Sequence, residues 1–153
     1  MEIRPLRVLT TLLLVTMGVP AGASAAACLV TPEELRAATG REFIAGQEGK
    51  AADGSALCTY AEVAAPTRKL ALNVIASRGK AAYESRVRLL SMGKKEIGLK
   101  GVGDAAYFNG TAAGVLSGDK LITLSNVRRA SAPEIAPERI VTLLQAALGR
   151  AAK

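Results

Sequence analysis

Three arrangements in this chain have residue types and spacings that match a recognised chemistry. Ser77-Arg78-Gly79-Lys80 and Ser91-Met92-Gly93-Lys94 both read S-x-x-K. That spacing sets a lysine beside a nucleophilic serine on a buried helix in penicillin-recognising enzymes. The accompanying S-D-N and K-T-G elements are absent, and with eight serines and eight lysines a chance match is unsurprising. Gly101-Val102-Gly103-Asp104-Ala105-Ala106 fits the loose dinucleotide fingerprint G-x-G-x-x-A. A true fingerprint follows a buried strand and opens a helix, so that the helix N-terminus meets the pyrophosphate. Here charged KKEIGLK precedes it, and AAYFNG runs into the Asn109-Gly110 hairpin signal within a few residues. The glycines are therefore expected to bend the chain before a strand, with Asp104 bonding the local backbone. Paired carboxylates would suit a glycosidase, but Glu33, Glu34 and Glu134 already have capping or helix-dipole explanations and no pair stands out. The chain has no histidine, which removes Ser-His and Cys-His nucleophile pairs and the usual zinc sets. No catalytic residue, cofactor or metal is expected.

The start of the chain sets the compartment. Arg4 and Arg7 precede the apolar run Val8 to Val19, Pro20 breaks it, and AGASAAA supplies small residues. This is the layout of a secretory signal, read as residues 1–27. A bilayer span needs about 20 apolar residues, so an uncleaved anchor is the lesser alternative. Two cuts satisfy the A-x-A rule, after Ala25 or after Ala27. Residues 28–153 are then one domain of ordinary size, periplasmic or extracellular.

Cys28 and Cys58 are the only cysteines. In an oxidising compartment they can form one disulfide, whose loop of about 30 residues would contribute roughly 3–4 kcal/mol in the chain-entropy account. Two other states stay open. Ala25-Ala26-Ala27-Cys28 is a degenerate lipobox, with Ala25 where most carry Leu; acylation of Cys28 would anchor the protein to a membrane. Alternatively both thiols are free.

The elements follow from local signals. Thr31, Pro32 and Glu34 make a capping box, Val30 and Leu35 a staple, and Gly40 a stop, giving a helix over 32–39. Strands are expected at 41–46, 56–63 and 69–76, with 47–55 a polar loop and 65–68 a turn. A helix follows over about 79–92, with Tyr83, Val87 and Leu90 on its apolar stripe. Residues 94–103 form a basic, glycine-rich connector. Strands at 104–108, 112–117 and 120–127 precede a helix over about 137–148. The class is α+β, an antiparallel sheet with one face covered by helices, in the order α-βββ-α-βββ-α.

Several of these pieces resemble a known group. The start T-P-E-E-L, the later Cys58-Thr59-Tyr60, and Gly101-Val102-Gly103-Asp104-Ala105-Ala106-Tyr107 are similar to small exported bacterial domains and lipoproteins of unassigned function, whose fold is compared with PsbP-like α/β sandwiches. The resemblance implies an architecture and a compartment, and carries no catalytic residue.

The formal charge is +7, or +6 without Glu2, Arg4 and Arg7. That sign favours anionic partners. Nucleic acid is not expected, because there are three Tyr, two Phe and no Trp to serve as stacking platforms. The reading that results is a non-enzymatic envelope domain binding an unidentified ligand, in a groove between sheet and helices or on an open sheet face. Contacts are expected from the strand 121–127 and from the connector, through Lys94, Lys95, Lys100 and Tyr107, although the three tyrosines also suit packing at the core edge. The alternatives are an inhibitor or assembly factor docking on another envelope protein, and a serine and lysine hydrolase.

Overall fold

The computed structural model describes residues 27–92 and 97–153. The expected leader, except for Ala27, and the connector residues Lys94 and Lys95 lie outside the described residues.

Helix α1 (Pro32–Thr39) forms where the capping box sets it. The Glu34 amide donates to Thr31 Oγ1 at 3.3 Å, and the Thr31 amide donates to the Glu34 carboxylate at 2.8 Å. Two free amides at the helix start are thereby satisfied reciprocally. Gly40 closes the helix in a left-handed conformation, φ 72.

The first strand departs from expectation. Residues 41–46 do not form a strand; Phe43 makes a single bridge to Glu62 and is buried. The strand is instead β1 (Gln47–Lys50), cut from the segment expected to be a loop, and all four of its residues are exposed. The reason is tertiary. At Gly46 the backbone passes directly over the bond between Cys28 and Cys58, where a Cβ would come within 2.4 Å of Cys58 Sγ and 2.8 Å of Cys28 Sγ. Before that crossing residues 42–44 meet the far end of β2 (Ala56–Glu62), the Ile44 amide donating to the Ala61 carbonyl at 3.0 Å; after it the chain lies along β2 as an edge strand.

β2 turns through Val63 and Ala64 into β3 (Ala65–Ile75), which takes in the expected turn at 65–68. The register shifts there, so Pro66 falls where no ladder amide is required. Helix α2 (Gly79–Ser91) matches its expected span. β4 (Ile97–Gly98) adds a short strand beyond those expected, followed by β5 (Ala105–Phe108), β6 (Ala113–Ser117) and β7 (Lys120–Ser125). Helix α3 (Pro137–Ala151) ends the chain one turn later than expected.

All seven strands form one antiparallel sheet in the order β1-β2-β3-β7-β6-β5-β4. The α+β class therefore holds. Two meanders join where β3 pairs with β7. Side chains alternate across the strands, so each rung of the register belongs to one face. Phe108, Ala113, Leu124, Leu72 and Cys58 form one such rung, and Ala106, Val115, Ile122 and Val74 the next. These residues belong to the main core with Leu35 and Ala38 of α1 and Ile140, Leu143, Leu144 and Ala147 of α3.

The helices do not share one face. Tyr107, Leu116 and Leu121 point away from that core yet are buried, because α2 lies over β6 and β7 on the opposite side. Tyr83 of α2 meets Tyr107 with ring centroids 5.9 Å apart. The sheet is thus covered on both faces over its β5–β7 half, and on one face over β1–β3. Three strands pairing in sequence could not reveal on which side each helix would return.

Two polar latches close the edges. Arg150, near the end of α3, forms a forked pair with Glu34 at 2.7 and 2.8 Å and also donates to the Leu29 carbonyl at 2.7 Å. Glu62, 4% exposed, accepts from Arg41 and Arg129. Arg41 also donates to the carbonyls of Asn126 and Val127, at 2.9 and 2.6 Å. Its guanidinium is held below its ordinary pKa by burial and then by the neighbouring cations Arg129 and Arg68.

Gly46→Ala should destabilise the oxidised protein by about 1–3 kcal/mol, the usual result of forcing a methyl into a packed site, as read from urea unfolding midpoints at constant slope. The Glu34 carboxyl titrates below its ordinary value, chiefly through the hydrogen bond from Arg150. A depressed folded-state pKa contributes stability that is complete above the unfolded value of about 4.3 and is lost as pH falls through the folded value. Glu34→Gln should therefore lower stability at neutral pH and flatten its decline below about pH 4.3, measured by urea unfolding across pH 2–7.

Candidate functional site

A concave site lies at one end of the sheet, where β1 ends, β2 begins and β3 ends. It encloses about 690 Å³, within the range usual for small-molecule sites. Its floor is small and apolar, from Ala56, Val74 and Ile75. One wall is the loop joining β1 to β2, the other the connector 76–78 and the first turns of α2, with Ser77, Arg78 and Ser85.

The loop wall is built by its own hydrogen bonds. The Gly54 amide donates to the Ala51 carbonyl at 2.9 Å, and the Ala51 amide to the Ser55 carbonyl at 2.9 Å. Asp53 accepts from both the amide and the hydroxyl of Ser55. Those bonds come first among the causes that hold the Asp53 carboxyl below its ordinary pKa; Arg86 of α2 adds attraction. Glu48, also at the groove, accepts the Ala27 amide at 3.2 Å. Both acids are therefore engaged.

The opposite wall is held by a residue far along the chain. Asp119, in the turn between β6 and β7, accepts the Arg78 amide at 2.6 Å and the Lys80 amide at 3.3 Å through its carboxylate. Its carbonyl accepts the Gly79 amide at 2.8 Å. A Cβ at Gly79 would lie 2.4 Å from that carbonyl oxygen, so glycine is required for the approach. Arg78 adopts φ 58, in the left-handed region uncommon for residues with a Cβ. The three bonds to Asp119 hold this conformation and cap α2 from outside its own sequence. Asp119 thus takes the amides of Arg78, Gly79 and Lys80, three of those at the helix start. What the groove offers a ligand are the Lys50 and Arg78 side chains. Neither has an ion-pair partner among the described residues.

Of the residues singled out from sequence, Cys28 and Cys58 are joined as a disulfide. That bond occupies the sulfur an acyl thioether would need. Tyr107 is 1% exposed beneath α2 and cannot meet a ligand directly. Lys100 is exposed, but it sits beside β4 and β5, at the sheet edge opposite β1. The strand 121–127 is central and buried through Leu121, Ile122, Thr123 and Leu124, which corrects its expected role as a contact surface. The G-x-G run is a turn into β5, with Gly101 at φ 80 and Gly103 at φ 58 and no helix following. Asp104 does not bond its immediate neighbours; its carboxylate accepts the Gly118 amide at 2.6 Å, across to the next hairpin. Ser77 precedes α2 instead of lying on it, so it does not share a helix face with Lys80. The Ser91 hydroxyl donates to the Arg88 carbonyl at 2.9 Å, and its partner Lys94 lies outside the described residues. Among the described residues no cluster of His, Cys, Asp or Glu could hold a metal ion, and no helix is long and apolar enough to cross a membrane.

Sequence reasoning missed Lys50, Arg78 and Asp119. Lys50 sits in a segment that reads as loop, and Asp119 reads only as a hairpin turn; its cap on α2 spans about forty positions. Removing that cap should be measurable. Asp119→Ala should cost about 1 kcal/mol, within the range for lost helix caps, and should raise amide exchange in the first turn of α2 above that in α3.

Comparison with protein-family models, with curated proteins and with solved structures finds no match for this chain.

Proposed function

We propose that this protein is an exported, non-enzymatic binding domain whose groove between the loop 51–55 and α2 takes a small anionic ligand. The observation that carries the reading is that the groove's two cations lack ion-pair partners. Its two carboxylates are engaged by Ser55 and by the Ala27 amide, while its two cations, Lys50 and Arg78, have no ionic partner among the described residues. A cation without an ion-pair partner can donate a charge-assisted hydrogen bond to a ligand's carboxylate or phosphate group. The hydroxyls of Ser77 and Ser85 stand on the wall beside Arg78. They supply donors for orientation.

The formal charge of +6 left without Glu2, Arg4 and Arg7 adds long-range attraction for the same ligand sign. The leader layout, the disulfide, and the likeness of T-P-E-E-L, Cys58-Thr59-Tyr60 and the G-x-G-D-x-A-Y stretch to small exported domains support a place outside the cytoplasm. The same likeness supports a kinship with the PsbP-like sandwiches.

The test is calorimetric titration of the oxidised protein, at low ionic strength, with inorganic phosphate, pyrophosphate and a set of small dicarboxylates. Lys50→Ala with Arg78→Ala should weaken the tightest of these by about tenfold or more, as losing charge-assisted hydrogen bonds does. Lys100→Ala, at the far sheet edge, should leave it unchanged. Binding indifferent to Lys50 and Arg78, or no binding by any anion tried, sinks the assignment.

A further inference from the structure

The fold discriminates between the two peptide bonds at which the leader satisfies the A-x-A rule. We propose that the leader is removed between Ala25 and Ala26, so that the mature protein keeps Ala27 as part of its core. The inference rests on the export reading above and adds to it the site of processing.

Ala27 belongs to the folded domain by three independent measures. Its side chain is 2% exposed and packs in the main hydrophobic core. Its amide donates to Glu48 Oε1 of β1 at 3.2 Å, and its carbonyl accepts the Leu29 amide at 2.9 Å. It also lines the groove proposed to bind ligand. A cut after Ala27 would delete this residue and strip Glu48 of its partner. It would also turn the nitrogen of half-buried, disulfide-bonded Cys28 into a charged ammonium next to the core. Placing a charge against apolar surroundings is costly.

The competing reason to cut before Cys28 is lipid attachment to its sulfur, and that sulfur is bonded to Cys58. A cut after Ala25 avoids each cost. A signal-type peptidase and one water break the bond between the Ala25 carbonyl carbon and the Ala26 nitrogen. The hydroxyl goes to the new Ala25 carboxyl, the proton to the Ala26 amine.

The experiment expresses the full chain in a secreting bacterial host and determines the N-terminus of the exported product by intact mass and sequencing, without reductant. The expected species starts at Ala26 and carries the Cys28–Cys58 bond. Ala23→Arg alters the A-x-A requirement of this cut and leaves that of the downstream cut intact, so it should abolish the Ala26 species. A product starting at Cys28, bare or acylated, overturns the inference while leaving export standing. An unchanged yield of the Ala26 species in Ala23→Arg also overturns it. A chain retained in the cytoplasm with Met1 intact removes the export reading itself, and this inference with it.

Discussion

The bond between Cys28 and Cys58 is the constraint around which the N-terminal half of the fold is arranged. It fastens the entry segment to the middle of β2, and it lies at the centre of a small, closely packed cluster. Gly46 passes over the sulfurs, and the Tyr60 ring touches the same spot. The Tyr60 hydroxyl, its pKa pushed up to about 12 mainly by burial, donates to the Val30 carbonyl at 2.8 Å. The hydroxyl stays protonated, as that donation requires. A link across about 30 residues restricts the unfolded chain most, which is the chief effect in the entropic account. In the native state the chain passes over the sulfurs at Gly46, between its contact with the end of β2 at Phe43 and the edge strand β1.

The ionic groups perform a different task at the two ends of the molecule. Arg150 and Glu34 are partly exposed, and a pair of that kind contributes little by itself. Its significance is geometric, since the same guanidinium satisfies the Leu29 carbonyl and joins α3 to the start of α1 and to the entry segment. Glu62 is different because it is buried. Two arginines face its carboxylate, and one of them also satisfies two carbonyls that follow β7. Removing the carboxylate would leave cations with less compensation in a site largely shielded from water. Arg41 further stacks on Phe43, 5.1 Å from the ring centroid, which fixes the residue that replaces the expected first strand.

At the groove, the same economy leaves a surplus. Asp119 takes three amides at the start of α2, and Ser55 and Ala27 engage the two acids, so the structure spends its local hydrogen bonds on building the walls. The left-handed Arg78 is tolerated because its own amide and those of the next two residues converge on one residue of another hairpin. Strain held in this way by surrounding structure is typical of positions whose side chain must point where a relaxed backbone would not send it.

The sequence by itself determined the pieces governed by neighbours. The capping box at Thr31 and Glu34, the spans of α2 and β2, the buried face of Leu70, Leu72 and Val74, and the turn at Gly101 and Gly103 all rest on residues a few positions apart. The pairing of Cys28 with Cys58 was legible because no other cysteine competes, though acylation and free thiols remained open until the bond was seen. Tertiary structure alone decided the rest. A polar stretch such as Gln47–Lys50 becomes a strand only because an edge supplies backbone partners, while 41–46 is reduced to a single bridge at Phe43. The side of the sheet taken by α2, the burial of Tyr107, and the meeting of Asp119 with Arg78 depend on contacts between residues dozens of positions apart. Local propensity carries no information about such contacts, because they exist only once the chain has closed on itself.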